Sequence, residues 1–249
     1  MPKAYVIVGA SLAGATAAVT LREEGVDGAV IVIGAEREPP YERPPLSKAY
    51  LRGDAPFEKA LVRPPIFYAA HGIEMMLGTR VTRVDTTQRV VELADRRQVP
   101  FDSLLLATGA RNRILSIPGA ELEGIYSLRT IHDADRIRAE MRPGRRAVVV
   151  GMGFIGSEVA AALRQAGVGV VTVDPGKTPL FRVLGETVGA ALAALHRAHG
   201  VRTVFEDSVA AFEGDRRVAL VITKAGQRLE CDFVVTRRRR RARSRHAGR

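Results

Sequence analysis

Two glycine clusters carry the chemistry this sequence can be expected to perform. Gly9-Ala10-Ser11-Leu12-Ala13-Gly14 and Gly151-Met152-Gly153-Phe154-Ile155-Gly156 each follow a short β-branched run. In both copies the first glycine is followed by others five and then eleven residues further along, at Gly14 and Gly25 and at Gly156 and Gly167. An acid closes each copy after a second apolar run, Glu36 in the first and Asp174 in the second. Such a unit binds a dinucleotide. The first glycine makes a tight turn, the second lets backbone approach a pyrophosphate, and the third packs helix on strand. Helix-start N–H groups then hold the phosphates, and the acid accepts hydrogen bonds from a ribose diol. A carboxylate at Asp174 repels a 2′-phosphate, so NADH is expected over NADPH, with Arg182 near enough in sequence to soften the preference.

Other chemistries lack their residues. Cys231 is the single cysteine, which excludes an intramolecular disulfide, a CxxC pair and a cysteine-built metal site, and fits a reducing cytoplasm. No Ser–His–Asp constellation is visible. His196 and His199 lie near a helix C-terminus, where imidazolium is favoured by the dipole, and no metal role is expected of them.

The elements that must position these groups are legible in outline. Strands are expected over 4–8, 29–33, 73–76, 80–85, 89–93, 104–106, 147–150, 168–173, 201–205, 218–223 and 229–235, with helices after each glycine turn and over 186–199. Glu158 is expected in the first helical turn, where the dipole favours an acid. Between the first acid and the later strands runs Pro39-Pro40-Tyr41-Glu42-Arg43-Pro44-Pro45-Leu46-Ser47-Lys48, a loop stiffened by proline without regular structure. Residues 111–130 read as a crossing linker. The fold class is α/β, with two Rossmann-like nucleotide-binding domains at 1–110 and 111–236 and a disordered Arg-rich tail at 237–249.

Composition limits the alternatives. Apolar residues make up 46% of the 249, enough for a core, and no apolar run approaches a membrane span of about 18–20 residues. Nothing at the N-terminus reads as a signal peptide. The net charge of +11 is concentrated in the tail, whose eight arginines, once subtracted, leave +3 for residues 1–236.

With two nucleotide units and PYERPPLSK between them, residues 4–236 resemble the FAD-dependent, NADH-using ferredoxin reductases of bacterial oxygenase systems. That resemblance implies FAD on the first unit, NADH on the second, and an iron–sulfur ferredoxin or rubredoxin as electron acceptor. Hydride would pass from nicotinamide to flavin, followed by one-electron steps to the partner. By position, Gly9, Ser11, Ala13 and Gly14 would line the FAD pyrophosphate and Glu36 its ribose. Arg43, Lys48, Val81, Ala107, Thr108, Gly109 and Arg129 would also touch FAD, with Lys48 near N5 favouring the reduced flavin. Gly151, Gly153, Phe154, Ile155 and Gly156 would face NADH, Glu158 the carboxamide, and Asp174 the adenosine ribose. Two departures stand out. Where several relatives place an acid directly after the glycine matching Gly34, this chain has Ala35 and then Glu36. Beyond residue 236 the family continues with Gly-x-Gly-x-x-Pro, a further FAD strand, an Ala-x-Gly-Asp motif and an interface domain, which are missing here. The first domain is therefore expected to be incomplete, with poor FAD retention.

Two other function classes compete with electron transfer. One is a non-catalytic NADH-binding remnant, separated from a flavoenzyme by flavin absorbance. The other is nucleic-acid binding by the tail, with a salt slope of at most about −7; without aromatics to stack bases, it is not expected. A one-base slip near codon 236 would account for the tail. CGN codons read one base later become GNC, and 237–243 could then encode Gly-Val-Gly-Val-Ala-Pro.

Overall fold

The computed structural model describes residues 3–112, 116–236 and 240–242. Packing divides the chain into two compact units. The first comprises Met1–Glu42, Phe57–Arg111 and Arg241–Arg249, the second Arg43–Pro56 and Asn112–Arg240. The segment Arg43–Pro56, within the stretch 1–110, packs with the second unit and not with the first.

In the first unit, four parallel strands run in the order Ile73–Met76, Ala29–Ile33, Ala4–Val8, Ser103–Leu106. Alternation along Ala4–Val8 sends Ile7 to one face, against Ala15, Ala18 and Val19 of the Leu12–Glu23 helix. Val6 and Val8 go to the other face, against Val91 and Leu93. Those two residues belong to a three-stranded antiparallel sheet of Val81–Asp85, Val90–Leu93 and Gln98–Pro100. Gly25 ends the first helix region with φ +71°, the left-handed conformation a glycine supplies cheaply.

The second unit repeats this plan. Its five parallel strands are ordered Val201–Phe205, Gly169–Asp174, Arg146–Val150, Phe233–Thr236, Ile125–Ser127. The antiparallel sheet consists of Val209–Gly214, Val218–Thr223 and Arg228–Glu230. Phe212, Val221 and Leu229 from that sheet bury Val148, Val173 and Val234. The repetition therefore extends past the glycine turns to the whole layered architecture.

Several expectations need correction. The Pro-rich loop contains a 3-10 turn, Pro44–Ser47, because proline at its first positions presets φ for a tight turn, and a helical turn, Ala49–Arg52, follows the loop. The linker holds an edge strand, Ile125–Ser127. The run 229–235 is two strands in different sheets, divided at Cys231 and Asp232. The helix expected over 186–199 starts after non-helical backbone at Gly185 and ends at Ala198, and a separate helical turn from Phe181 precedes the kink. Of the tail, Arg240–Ala242 pairs with Ala110–Asn112, since ladder bonds do not depend on side-chain charge; 237–239 and 243–249 lie outside the described residues. Burial, reinforced by His199, holds His196 below the usual imidazole range and so outweighs the helix dipole expected to favour imidazolium.

A buried ionic cluster closes the second unit. Glu140, at the end of the Ile131–Glu140 helix, accepts from the Tyr126 hydroxyl at 2.5 Å and pairs with Arg145 and Arg217. Burial pushes its carboxyl up, but the hydrogen bonds from Tyr126 and Arg217 and the charges of Arg145 and Arg217 prevail, holding it below its ordinary 4.5. A depressed folded value gives stability above the ordinary value that is lost as pH falls through the folded one. Glu140→Gln is expected to cost about 1–2 kcal/mol at pH 7, because the buried side chain loses its charge-assisted bonds while its partners Arg145 and Arg217 stay partly open to solvent. Urea unfolding at pH 7 and pH 3 checks this, and the wild type should lose the larger share of stability on acidification. Equal losses in both proteins would assign the acid sensitivity to other groups.

Candidate functional site

Both glycine turns have the same geometry. Gly9 and Gly151, with φ +126° and +96°, turn the chain out of the first strand. A Cβ on Gly14 would lie 1.8 Å from the Gly9 carbonyl oxygen, and one on Gly156 1.8 Å from that of Gly151. The helix starts are thus pressed against the strand ends, as a pyrophosphate cradle requires. The first intrahelical bonds of the two helices are Ala15 N–H to Ser11 O and Ser157 N–H to Gly153 O, each 2.9 Å. The N–H groups ahead of them, at Leu12 and Ala13 and at Phe154 and Ile155, are those a helix leaves for an anion. At the first residue of each helix an apolar side chain stays in the open, Leu12 and Phe154 being 47% and 55% exposed.

The serine in the first turn is tolerated for a conformational reason. Ser11 has φ −122° and ψ −167°, and Gly153, its counterpart, has −79° and −170°. Both are extended and negative in φ, so a Cβ costs nothing in backbone strain. Beside this turn runs Ala107-Thr108-Gly109, where Ala107 N–H bonds the Val8 carbonyl at 2.8 Å. A Cβ on Gly9 would meet the Ala107 carbonyl oxygen at 2.1 Å. Gly9, Ser11, Ala13, Gly14, Ala107, Thr108 and Gly109 therefore gather at one end of one sheet, and Val81 begins the covering strand Val81–Asp85.

The acids are held differently in the two units. In the first, the buried Tyr41 hydroxyl donates to Glu36 Oε2 at 2.6 Å, and its ring meets Phe57 edge-on. In the second, Asp174 Oδ2 accepts from Met152 N–H at 2.6 Å and Oδ1 from Gly176 N–H at 2.7 Å. One N–H of the glycine turn is therefore committed to the acid, which is locked to the turn it serves.

Glu158 is the fifth residue of the Phe154–Gln165 helix, and no acid stands in that helix's first turn, so the dipole does not explain it. Its carboxylate is held by two neighbours from the Pro-rich loop. Lys48 Nζ lies 2.8 Å from Oε1, and Ser47 Oγ donates to Oε2 at 2.5 Å. The loop is itself docked. Tyr50 donates to Asp135 at 2.6 Å, the Arg138 guanidinium lies 5.8 Å from the Tyr50 ring centre, and Leu51 is fully buried. Arg43 donates to the Arg129 carbonyl at 2.9 Å. The three cations that the resemblance gives to FAD, Arg43, Lys48 and Arg129, all belong by packing to the second unit. Sequence reasoning missed Ser47 and Tyr41; Ser47 is next to Lys48 and Tyr41 two residues before Arg43, and only the fold shows what their hydroxyls meet.

Two glycine turns of one build, each with an anchored acid beside it, define the class: an α/β protein with two Rossmann-like units. Among the described residues no group of three or more His, Cys, Asp or Glu could hold a metal ion, and no helix is long and apolar enough to cross a membrane. The chain belongs to the pyridine nucleotide-disulphide oxidoreductase family, whose model matches residues 3–246. It is 40% identical over 231 residues to rhodocoxin reductase of Rhodococcus erythropolis, covering 92% of this chain and 54% of that protein. It is 37% identical over 226 residues to the benzene 1,2-dioxygenase system ferredoxin–NAD(+) reductase subunit of Pseudomonas putida, with 91% and 55% covered. The reductase in the covalent putidaredoxin reductase–putidaredoxin complex matches with a TM-score of 0.92 at 36% identity, over 96% of this chain and 58% of that one. The chain spans about half the length of the curated relatives it matches.

Proposed function

We propose that this chain carries the nucleotide-binding part of a cytoplasmic electron-transfer reductase that takes hydride from NADH onto FAD and hands electrons to an iron–sulfur ferredoxin or rubredoxin. The observation that carries this reading is the pair of equivalent glycine cradles, with matching 1.8 Å approaches at Gly14 and Gly156. Bound flavin would supply acceptance of an electron pair as hydride and its release as single electrons. On the first unit, Gly9, Ser11, Ala13 and Gly14 would hold the FAD pyrophosphate, and Glu36, oriented by Tyr41, its ribose. Val81, Ala107, Thr108 and Gly109 would line that site. On the second, Gly151, Gly153, Phe154, Ile155 and Gly156 would hold the NADH pyrophosphate, Asp174 its ribose diol and Glu158 its carboxamide. The flavin contacts of Arg43, Lys48 and Arg129 rest on the resemblance alone. The names of the relatives support the partner class.

A second reading, an NADH-binding module without electron transfer, is favoured by the first unit's sheet. Its edge strand Ser103–Leu106 leaves Leu105 and Leu106 43% and 47% exposed. One set of measurements separates the two. The purified chain is saturated with FAD, gel-filtered, read for flavin absorbance and assayed for NADH-dependent ferricyanide reduction, while NADH and NADPH binding is followed by calorimetry. NADH should bind about tenfold or more tighter than NADPH, a difference of about 1.4 kcal/mol. Retained flavin with ferricyanide reduction supports electron transfer, and NADH binding without flavin supports the second reading. No binding of either nucleotide would sink both.

A further inference from the structure

We propose that Ser47 is a positioning residue, whose hydroxyl fixes the Glu158 carboxylate in the single orientation that meets the nicotinamide end of the nucleotide. This rests on the reading of Glu158 as the carboxamide contact. Glu158 is 27% exposed at its side chain and carries three rotatable torsions, so something must choose among its rotamers. Lys48 is a poor choice for that task. Its side chain is 48% exposed and flexible, and an ion pair so placed constrains little. Ser47 is 4% exposed, and it sits on the proline-led Pro44–Ser47 turn that is closed by Lys48 N–H to the Pro45 carbonyl at 3.0 Å.

The hydroxyl has one proton and two acceptors within reach. Glu158 Oε2 lies at 2.5 Å and the Pro44 carbonyl at 3.3 Å. The shorter, charged acceptor takes it, because such bonds are about twice as strong as neutral ones. With Oε2 held by Ser47 and Oε1 by Lys48, two of the carboxylate's roughly four acceptor sites remain for an amide N–H. Ser47 thus leaves Glu158 aimed and still able to accept.

ADP-ribose lacks the nicotinamide and separates aiming from mere folding. In the full chain, Ser47→Ala should weaken NADH about tenfold, the loss of one hydrogen bond to a charged group, and leave ADP-ribose within about twofold. Ser47→Thr, which restores the hydroxyl, should recover most of the NADH affinity. Parallel loss of both ligands would mean a structural role only, and unchanged NADH affinity would mean no role; either overturns the proposal. If Ser47→Ala fails to fold, Ser47→Cys, with similar volume and a weak donor, gives the same comparison. Glu158→Gln separates the two layers of the argument. If it leaves the NADH to ADP-ribose ratio unchanged, the reading of Glu158 fails and Ser47 falls with it. If Glu158→Gln changes the ratio and Ser47→Ala does not, Ser47 alone is refuted.

Discussion

Gly156→Ala should destabilise the second unit by about 3 kcal/mol or more and abolish NADH binding, although alanine is the better helix former by about 1 kcal/mol. The conformation at 156 is ordinary, so the cost comes entirely from contact. The added carbon would lie 1.8 Å from the Gly151 carbonyl oxygen and 2.9 Å from its carbon, both backbone atoms that cannot rotate aside. The helix must then withdraw from the strand, and the N–H groups at its start leave the phosphate position with it. Gly14→Ala should act in the same way on the first unit, against Gly9. Gly144→Ala is the informative control. That glycine has φ +83° with nothing within 4 Å of its missing Cβ, so only left-handed strain of about 1–2 kcal/mol is added. Urea denaturation with NADH titration checks all three. A Gly156→Ala protein as stable as the Gly144→Ala protein would refute the close-packing argument.

The second large effect is expected at Asp174. Asp174→Ala strips the acceptor from Met152 N–H and Gly176 N–H together, which should cost about 2–4 kcal/mol of stability at charge-assisted strength with partial exposure. NADH affinity should fall about a hundredfold, because the ribose loses its acceptor and the glycine turn its tether. Asp174→Asn refines the test. An amide keeps one oxygen acceptor but loses the charge that repels a 2′-phosphate, so NADH should weaken while NADPH gains. Calorimetry with both nucleotides should show the preference collapsing toward parity. If the preference survives in Asp174→Asn, another group discriminates between them.

The parts of this molecule that could be read without its coordinates are those whose cause is local. Glycines at fixed intervals are required by a turn and two close approaches, and Gly9, Gly14, Gly151 and Gly156 serve those purposes. Strands such as Ile73–Met76 and Val201–Phe205 are bounded by turn residues and occur where the pattern puts them. What escaped reading depends on distant partners. Proline dictates φ at 44 and 45 but cannot say that Arg43–Pro56 packs with residues beyond 112. Cys231 and Asp232 continue a β-rich run, yet Leu229 and Phe233 on either side serve different sheets. Val209–Gly214 was missed because its register is broken by irregularities near Val209 and Gly214, which blur a period of two. Glu158 looked like a helix-start acid, and only the fold revealed the lysine and serine around it.

The grouping of Arg43–Pro56 with the second unit has a consequence for synthesis. Ser47 leaves the ribosome 111 residues before Glu158, its hydrogen-bond partner. At roughly 5–20 residues per second, the loop waits about 5–20 seconds for the helix it will grip. Throughout that interval Leu46, Tyr50 and Leu51, all buried in the finished protein, have no second unit to cover them. The nascent chain therefore presents an apolar segment early and hides it late, a window in which a chaperone that recognises such segments competes with self-association. The prolines keep the waiting loop from being recruited into a stray sheet, since each one removes a donor from any ladder it could join.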